Sequence, residues 1–151
     1  TLQTTSPVLD MRLNGKKTRR AVDLREELPE LVANTDILLT SARPSALARL
    51  GLEPAALFER HPSLRWIAIT AHGWTGENAR RVGFGDDCAV AGGLVDWNGD
   101  TPRFCGDAIA DPLTGLLAAR HALEAVAAGR AGLLDCAMTP AAAFFAERRA
   151  R

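Results

Sequence analysis

Two short apolar runs limit what this chain can fold into. Asp36-Ile37-Leu38-Leu39-Thr40 and Leu64-Arg65-Trp66-Ile67-Ala68-Ile69-Thr70 are bounded by polar residues and are strand-length. Such runs are expected of strands buried in a parallel sheet, where both faces are covered. Between them, Pro44-Ser45-Ala46-Leu47-Ala48-Arg49-Leu50 reads as a short helix closed by Gly51, and residues 54–61 read as a second. The longest periodic segment is 111–129. There Leu113, Leu116, Leu117, Leu123, Val126 and Ala127 recur at helical spacing, on one face of a helix that Gly129 would close.

The remaining segments complete an alternating pattern. Residues 1–20 read as a polar lead-in and a basic loop, 21–24 as a short strand, and the stretch through Pro29 and Val32 as a helix. Residues 73–85 read as a turn-rich loop, 86–93 as helix, 102–110 as irregular and 133–136 as a strand, with Thr139 capping a last helix. Strands alternating with helices predict an α/β fold, a Rossmann-like layer with a mostly parallel sheet and flanking helices. At 151 residues the chain fits one domain with a sizeable core.

Bulk chemistry narrows the partners. Lys plus Arg and Asp plus Glu both number 18, so the formal net charge is zero and nothing favours nucleic acid or a membrane surface. The cluster Lys16, Lys17, Arg19, Arg20 is local and, taken alone, reads as a solvated loop. No run approaches the roughly 18 apolar residues of a membrane span, and a secretory leader pattern is absent. Cys88, Cys105 and Cys136 have neither metal-pair spacing nor a disulfide framework. The expectation is a cytoplasmic protein with free thiols and no metal.

In open α/β sheets, ligands bind beyond the carboxyl ends of the strands. Thr40-Ser41-Ala42-Arg43-Pro44 and Thr70-Ala71-His72-Gly73-Trp74 are placed there, along with the basic loop Leu13-Asn14-Gly15-Lys16-Lys17. Arginines and lysines near a helix start suit an anionic, phosphate-bearing ligand. Asp111, followed by Pro112, has the form of a helix start. A carboxylate there sits in a positive field that favours its ionised form, and carboxylates can act as covalent nucleophiles. Asp107 is its rival, four residues earlier. His61, His72 and His121 are scattered, and only His72, at a strand end, is a site candidate. His121 is expected on the exposed side of its helix, and no cysteine is placed to form a dyad. Gly83, Gly85, Gly92 and Gly93 match no phosphate-binding fingerprint and read as turn or close-packing glycines.

Three of these segments together resemble the family III CoA-transferases, the group that includes formyl-CoA transferase, carnitine CoA-transferase and the α-methylacyl-CoA racemases. The matching residues are 13–17, the Arg-Pro segment from Arg43 to Gly51, and the Asp-x-x-x-Gly helix opening at Asp111. The resemblance implies a single partial domain over 1–151, the central part of a larger CoA-binding domain. It implies coenzyme A as substrate, contacted by Leu13, Asn14, Lys16, Ser41, Ala42, Arg43, Ala46, Arg49 and His72. Asp111 becomes the nucleophile that forms an aspartyl mixed anhydride, passing CoA from an acyl-CoA to a carboxylic acid, in an enzyme that works as a homodimer. Two alternatives follow: an α-methylacyl-CoA racemase or epimerase, and a non-catalytic CoA-binding fragment. The racemase branch carries a histidine where this chain has Phe84, which can move no proton.

Overall fold

The computed structural model describes residues 7–149. An opening helix α1 (Pro7–Asn14) and a turn lead to α2 (Leu28–Ala33) and β1 (Ile37–Thr40). Helices α3 (Pro44–Ala48) and α4 (Pro54–Arg60) carry the chain to β2 (Arg65–Thr70). A loop, α5 (Gly85–Ala91), the strands β3 (Val95–Asn98) and β4 (Thr101–Phe104), and the long helix α6 (Ala110–Ala127) follow. The described chain ends with β5 (Gly132–Ala137) and α7 (Met138–Arg149).

The expected parallel sheet is present, with three strands in the order β1-β2-β5. Ile37 pairs opposite Arg65 and Thr40 opposite Ala68, while Arg65 pairs opposite Gly132 and Thr70 opposite Ala137. As the middle strand, β2 is covered on both faces, which is why its sequence is apolar at nearly every position. Alternation divides its side chains. Trp66 and Ala68 join Leu28, Val32, Leu47, Leu52, Leu57 and Leu64 in the core beneath α2–α4. Ile67 faces the other way, toward Ala118 of α6 and Cys136 of β5. A third cluster joins Cys88, Ala89, Leu94, Ala110, Met138 and Ala142, where α5, α6 and α7 meet. Trp66 is fully buried, donates from Nε1 to Thr40 Oγ1 at 2.8 Å, and meets Trp74 edge-on at a centroid distance of 5.0 Å.

Several expectations are corrected. Leu13 and Asn14 are the last two residues of α1, not part of a loop. Residues 21–24 form no strand. The Asp23 carboxylate accepts the Arg25 amide at 2.8 Å and the Asp23 amide donates to Glu27 Oε1 at 2.9 Å, so a side-chain-closed turn takes the backbone groups a strand would need. The stretch after Gly93 contains an antiparallel hairpin, β3 with β4, closed by the two-residue loop Gly99-Asp100 with Gly99 at φ 61°. Its strands are mostly solvent-facing and so lack the apolar alternation that reveals a strand.

The buried stripe of α6 is not its leucine-bearing face. Its buried residues are Ala110, Thr114, Ala118 and Ala125, a small-residue stripe at helical spacing, whereas Leu116 is 67% exposed and Leu123 71% exposed. Small side chains let the helix approach the sheet and α7 closely, and close packing outweighs the larger area the leucines would bury. His121 is half-buried, not exposed, with its Nδ1 3.8 Å from Cys136 Sγ. Among the described residues, no helix is long and apolar enough to cross a membrane.

Because Trp66 links the core under α2–α4 to the end of β1, Trp66→Ala is expected to destabilise the protein by about 3–5 kcal/mol. Trp66→Phe should cost less. Urea unfolding of both variants of the complete protein would check this, and equal small losses would contradict a central role for Trp66.

Candidate active site

Parallel pairing brings the carboxyl ends of β1, β2 and β5 to one edge of the sheet. The segments that leave those ends are held by side chains. Asp135 of β5 accepts from Thr70 Oγ1 at 2.8 Å and from the Trp74 amide at 2.6 Å, and Thr70 Oγ1 accepts the Gly73 amide at 3.1 Å. The Thr139 amide donates to the Ala71 carbonyl at 2.9 Å, seating the start of α7 against the same loop. A cleft of about 480 Å³ opens at this edge. It is lined by Ile69, Thr70, Ala71 and Met138 and by residues 41–44 and Ala46. Residues 81–84 and Asp111 also line it.

Asp111 is the second residue of α6, after Ala110, so the helix begins one residue earlier than expected and Asp111 is not its cap. Pro112 falls third, still within the first turn, where its missing N–H costs nothing. The approach is sharply turned: Ala108 has φ 45°, a left-handed conformation rarely adopted outside glycine. Its amide donates to Asp86 Oδ1 at 2.8 Å and its carbonyl accepts the Asp111 amide at 3.0 Å. On the α5 side, the Asp87 carboxylate accepts the Phe84 amide at 3.1 Å.

The electrostatics differ from the simple helix-field expectation. Asp111 is open to solvent through the cleft mouth, yet partial burial raises its carboxyl above the usual aspartate value. The neighbouring Asp86 charge raises it further, and only the Gly85 backbone amide pulls it down. Gly85 is required by the same closeness. A Cβ there would collide with Asp111 Oδ2 and lie 2.7 Å from the Ala108 carbonyl oxygen. Gly83 and Gly92 are also close-packing glycines: a Cβ on Gly83 would meet Cys88 Sγ at 2.9 Å, and one on Gly92 would meet Ala142 Cβ at 2.6 Å.

Of the residues singled out in the sequence, Ser41, Ala42, Arg43, Ala46 and Asp111 come together on the cleft. Leu13, Asn14, Lys16, Arg49, His72 and Asp107 are not among its lining residues. Asn14 donates to Asp10 Oδ1 at 2.7 Å and accepts Lys17 Nζ at 2.7 Å, and Arg19 pairs with Asp10, whose carboxyl these contacts hold below the ordinary range. α7 begins at Met138, so Thr139 lies inside that helix and not at its cap, and its Oγ1 is 2.9 Å from His72 Nδ1. Arg43 and Arg49 form no ion pair among the described residues. Sequence reading missed Arg81, which lies in a turn-rich loop where the only signal was the pair Arg80-Arg81. Cys88 and Cys136 are buried, burial pushes both thiols up, and their thiolate forms are therefore disfavoured. Among the described residues, no group of three His, Cys, Asp or Glu side chains is placed to bind a metal.

Comparison with known proteins gives a consistent pattern. Residues 7–150 match CoA-transferase family III. A CaiB/baiF CoA-transferase family protein of Caenorhabditis elegans is 29% identical over 154 residues, covering 92% of this chain and 45% of its own length. The β subunit of succinyl-CoA–L-malate CoA-transferase from Chloroflexus aurantiacus is 31% identical over 144 residues, covering 83% of this chain and 35% of its own. The crystal structure of a CAIB/BAIF family protein from Brucella suis superposes with a TM-score of 0.72 at 27% identity, over 85% of this chain and 37% of the other. The chain thus spans less than half the length of these relatives.

The close approach of Gly85 to Asp111 makes Gly85→Ala a local probe. An added methyl should force the two segments apart, destabilise the complete protein by about 1–3 kcal/mol and displace the Asp111 carboxylate. Thermal or urea unfolding beside wild type would measure it; an unchanged midpoint would mean that the segments yield freely.

Proposed function

The chain belongs to CoA-transferase family III, and on that premise we propose that it carries the nucleophile and part of the CoA site of an enzyme that transfers coenzyme A from an acyl-CoA to a carboxylic acid. Asp111 is the proposed nucleophile. The observation that carries this reading is that Asp111 presents a solvent-accessible carboxylate to a cleft at the carboxyl edge of the sheet, with Arg43 and Arg81 on its walls. A carboxylate oxygen would attack the thioester carbonyl carbon. Collapse of the tetrahedral oxyanion breaks the C–S bond, and CoA leaves as thiolate with the bonding pair. The product is a mixed anhydride on Asp111, which then exchanges with the acceptor acid and returning CoA.

The environment of Asp111 suits this step. A carboxylate less stabilised by solvent is more basic and a stronger nucleophile, and acylation replaces its negative charge with a neutral anhydride. Arg43 and Arg81 suit the anionic parts of the substrates. Lys16, Arg49 and the other residues drawn from the resemblance belong to the proposed CoA site, together with chain beyond the segment described. A racemase would need a second acid/base facing Asp111, and Phe84, which lines the same cleft, offers none. Exposed Leu116 and Leu123 on α6 are consistent with further protein packing there, as in the proposed homodimer.

Two measurements on the complete protein test the reading. Incubation with acyl-CoA followed by hydroxylamine should leave a hydroxamate on Asp111, located by mass spectrometry. Asp111→Asn should abolish it and Asp107→Asn should not; an active Asp111→Asn enzyme would remove Asp111 from the mechanism. Arg43→Ala should weaken CoA binding by about 1–3 kcal/mol if the guanidinium meets an anionic group, and unchanged affinity by calorimetry would return it to an ordinary surface charge.

A further inference from the structure

The turn that delivers Asp111 to the cleft is not self-supporting. Ala108 adopts φ 45°, a conformation that a non-glycine residue keeps only when its surroundings over-determine it. Two hydrogen bonds do so. The Ala108 amide donates to Asp86 Oδ1 at 2.8 Å, across 22 residues of sequence, and the Ala108 carbonyl accepts the Asp111 amide at 3.0 Å. No side chain caps α6, whose preceding residue Ile109 is already helical. Among the described residues, the only side-chain hydrogen bond to the backbone of this turn therefore comes from Asp86, in the first turn of α5. Both of its structural neighbours have other duties: Gly85 gives room to the Asp111 carboxylate, and Asp87 accepts the Phe84 amide.

We infer that Asp86 is a positioning residue for Asp111: by holding the Ala108 amide it fixes the left-handed turn from which Asp111 enters α6, and with it the height and direction of the Asp111 carboxylate above the cleft. The inference rests on Asp111 being the nucleophile. Covalent attack requires the reacting oxygen near its target, and a displacement of about 1 Å can cost about a hundred-fold in rate. An aspartate at this point has a second effect that an uncharged acceptor would lack. Its charge faces the free Asp111 carboxylate but not the neutral anhydride, so the repulsion is relieved as the acyl group transfers. Burial and the Asp86 charge both raise Asp111, consistent with that arrangement. The other charged or titratable groups about Asp111 are Arg43 and Arg81 on the cleft walls, Asp87 and Cys88 on α5, and His72 beyond Gly83. None of these outweighs Asp86, whose charge is the one that raises Asp111.

The two effects separate by substitution. Asp86→Asn keeps an oxygen that can accept the Ala108 amide and removes the charge, whereas Asp86→Ala removes both. The rate of hydroxamate formation on Asp111 is measured across pH in the complete protein, wild type and both variants, with folding followed by circular dichroism. Asp86→Ala is expected to slow acylation at least about ten-fold, the lower part of what misplacement produces. Asp86→Asn is expected to retain most of the rate on the alkaline side. Acylation needs ionised Asp111 and is lost as pH falls through its pKa; removing the neighbouring negative charge lowers that pKa, so the acid limb should move to lower pH. A merely structural role would not move this limb in a folded Asp86→Asn protein. Wild-type acylation by Asp86→Ala, or an unmoved acid limb in Asp86→Asn, overturns the inference while leaving Asp111 as nucleophile. If Asp86→Ala does not fold, the alkaline rate of Asp86→Asn decides together with its limb: a loss of about ten-fold there, with the Ala108 acceptor kept, overturns positioning through that hydrogen bond. Absence of label on Asp111 in wild type overturns the functional reading, and the inference with it.

Discussion

Burial of β2 on both faces is the constraint from which the rest of the structure follows. A strand with no solvent face must alternate its side chains between two cores. Trp66 and Ala68 commit α2, α3 and α4 to one side, while Ile67 faces α6 on the other. Its neighbours must also pair in parallel, since the segments joining them are long enough to cross the sheet and contain helices. Parallel pairing then sends β1, β2 and β5 out at the same edge, so that residues 41–44, 71–74 and 138–139 leave side by side. The cleft is a consequence of that shared exit.

The close fit of α6 is the second determinant. Thr114, Ala118 and Ala125 present little bulk to the sheet, and Ala110 is wholly buried where α5, α6 and α7 meet. This closeness places the start of α6 against the start of α5. There Gly85 can admit the Asp111 carboxylate and Asp86 can reach the Ala108 amide. A bulkier inner face would separate the helices and break both contacts. The outward leucines follow from the same choice: with the small residues turned inward, Leu116 and Leu123 must point away.

The electrostatic character of Asp111 illustrates why position in a helix is a poor guide on its own. A helix field favours an ionised carboxylate in the first turn. Here partial loss of solvent and the facing Asp86 charge prevail, and the carboxyl is raised. These opposing contributions come from different parts of the chain. The helix start is local, whereas Asp86 is brought in by the packing of α5.

Much of the architecture was legible because its causes are local. The apolar runs 36–40 and 64–70 announced β1 and β2. Pro44 and Pro54 marked helix starts, and Gly51 and Gly129 marked stops by adopting φ of 78° and 62°. The strand at 133–136 and the long helix were likewise visible, as was the nearness of Asp111 to a helix start. The hairpin β3–β4 left only an Asn-Gly signal, because its solvent-facing strands carry no apolar rhythm, and the turn at Asp23 competed with a strand through side-chain hydrogen bonds. Periodicity identified α6 as a helix but not its packed face, since two stripes of apolar residues run along it and their fit to the sheet selects between them. Local order in the sequence therefore determined the elements and placed an aspartate at the head of one. Tertiary packing decided which face of that helix is buried, which arginines share its cleft and which carboxylate faces it, because those depend on distances between segments that sequence spacing does not encode.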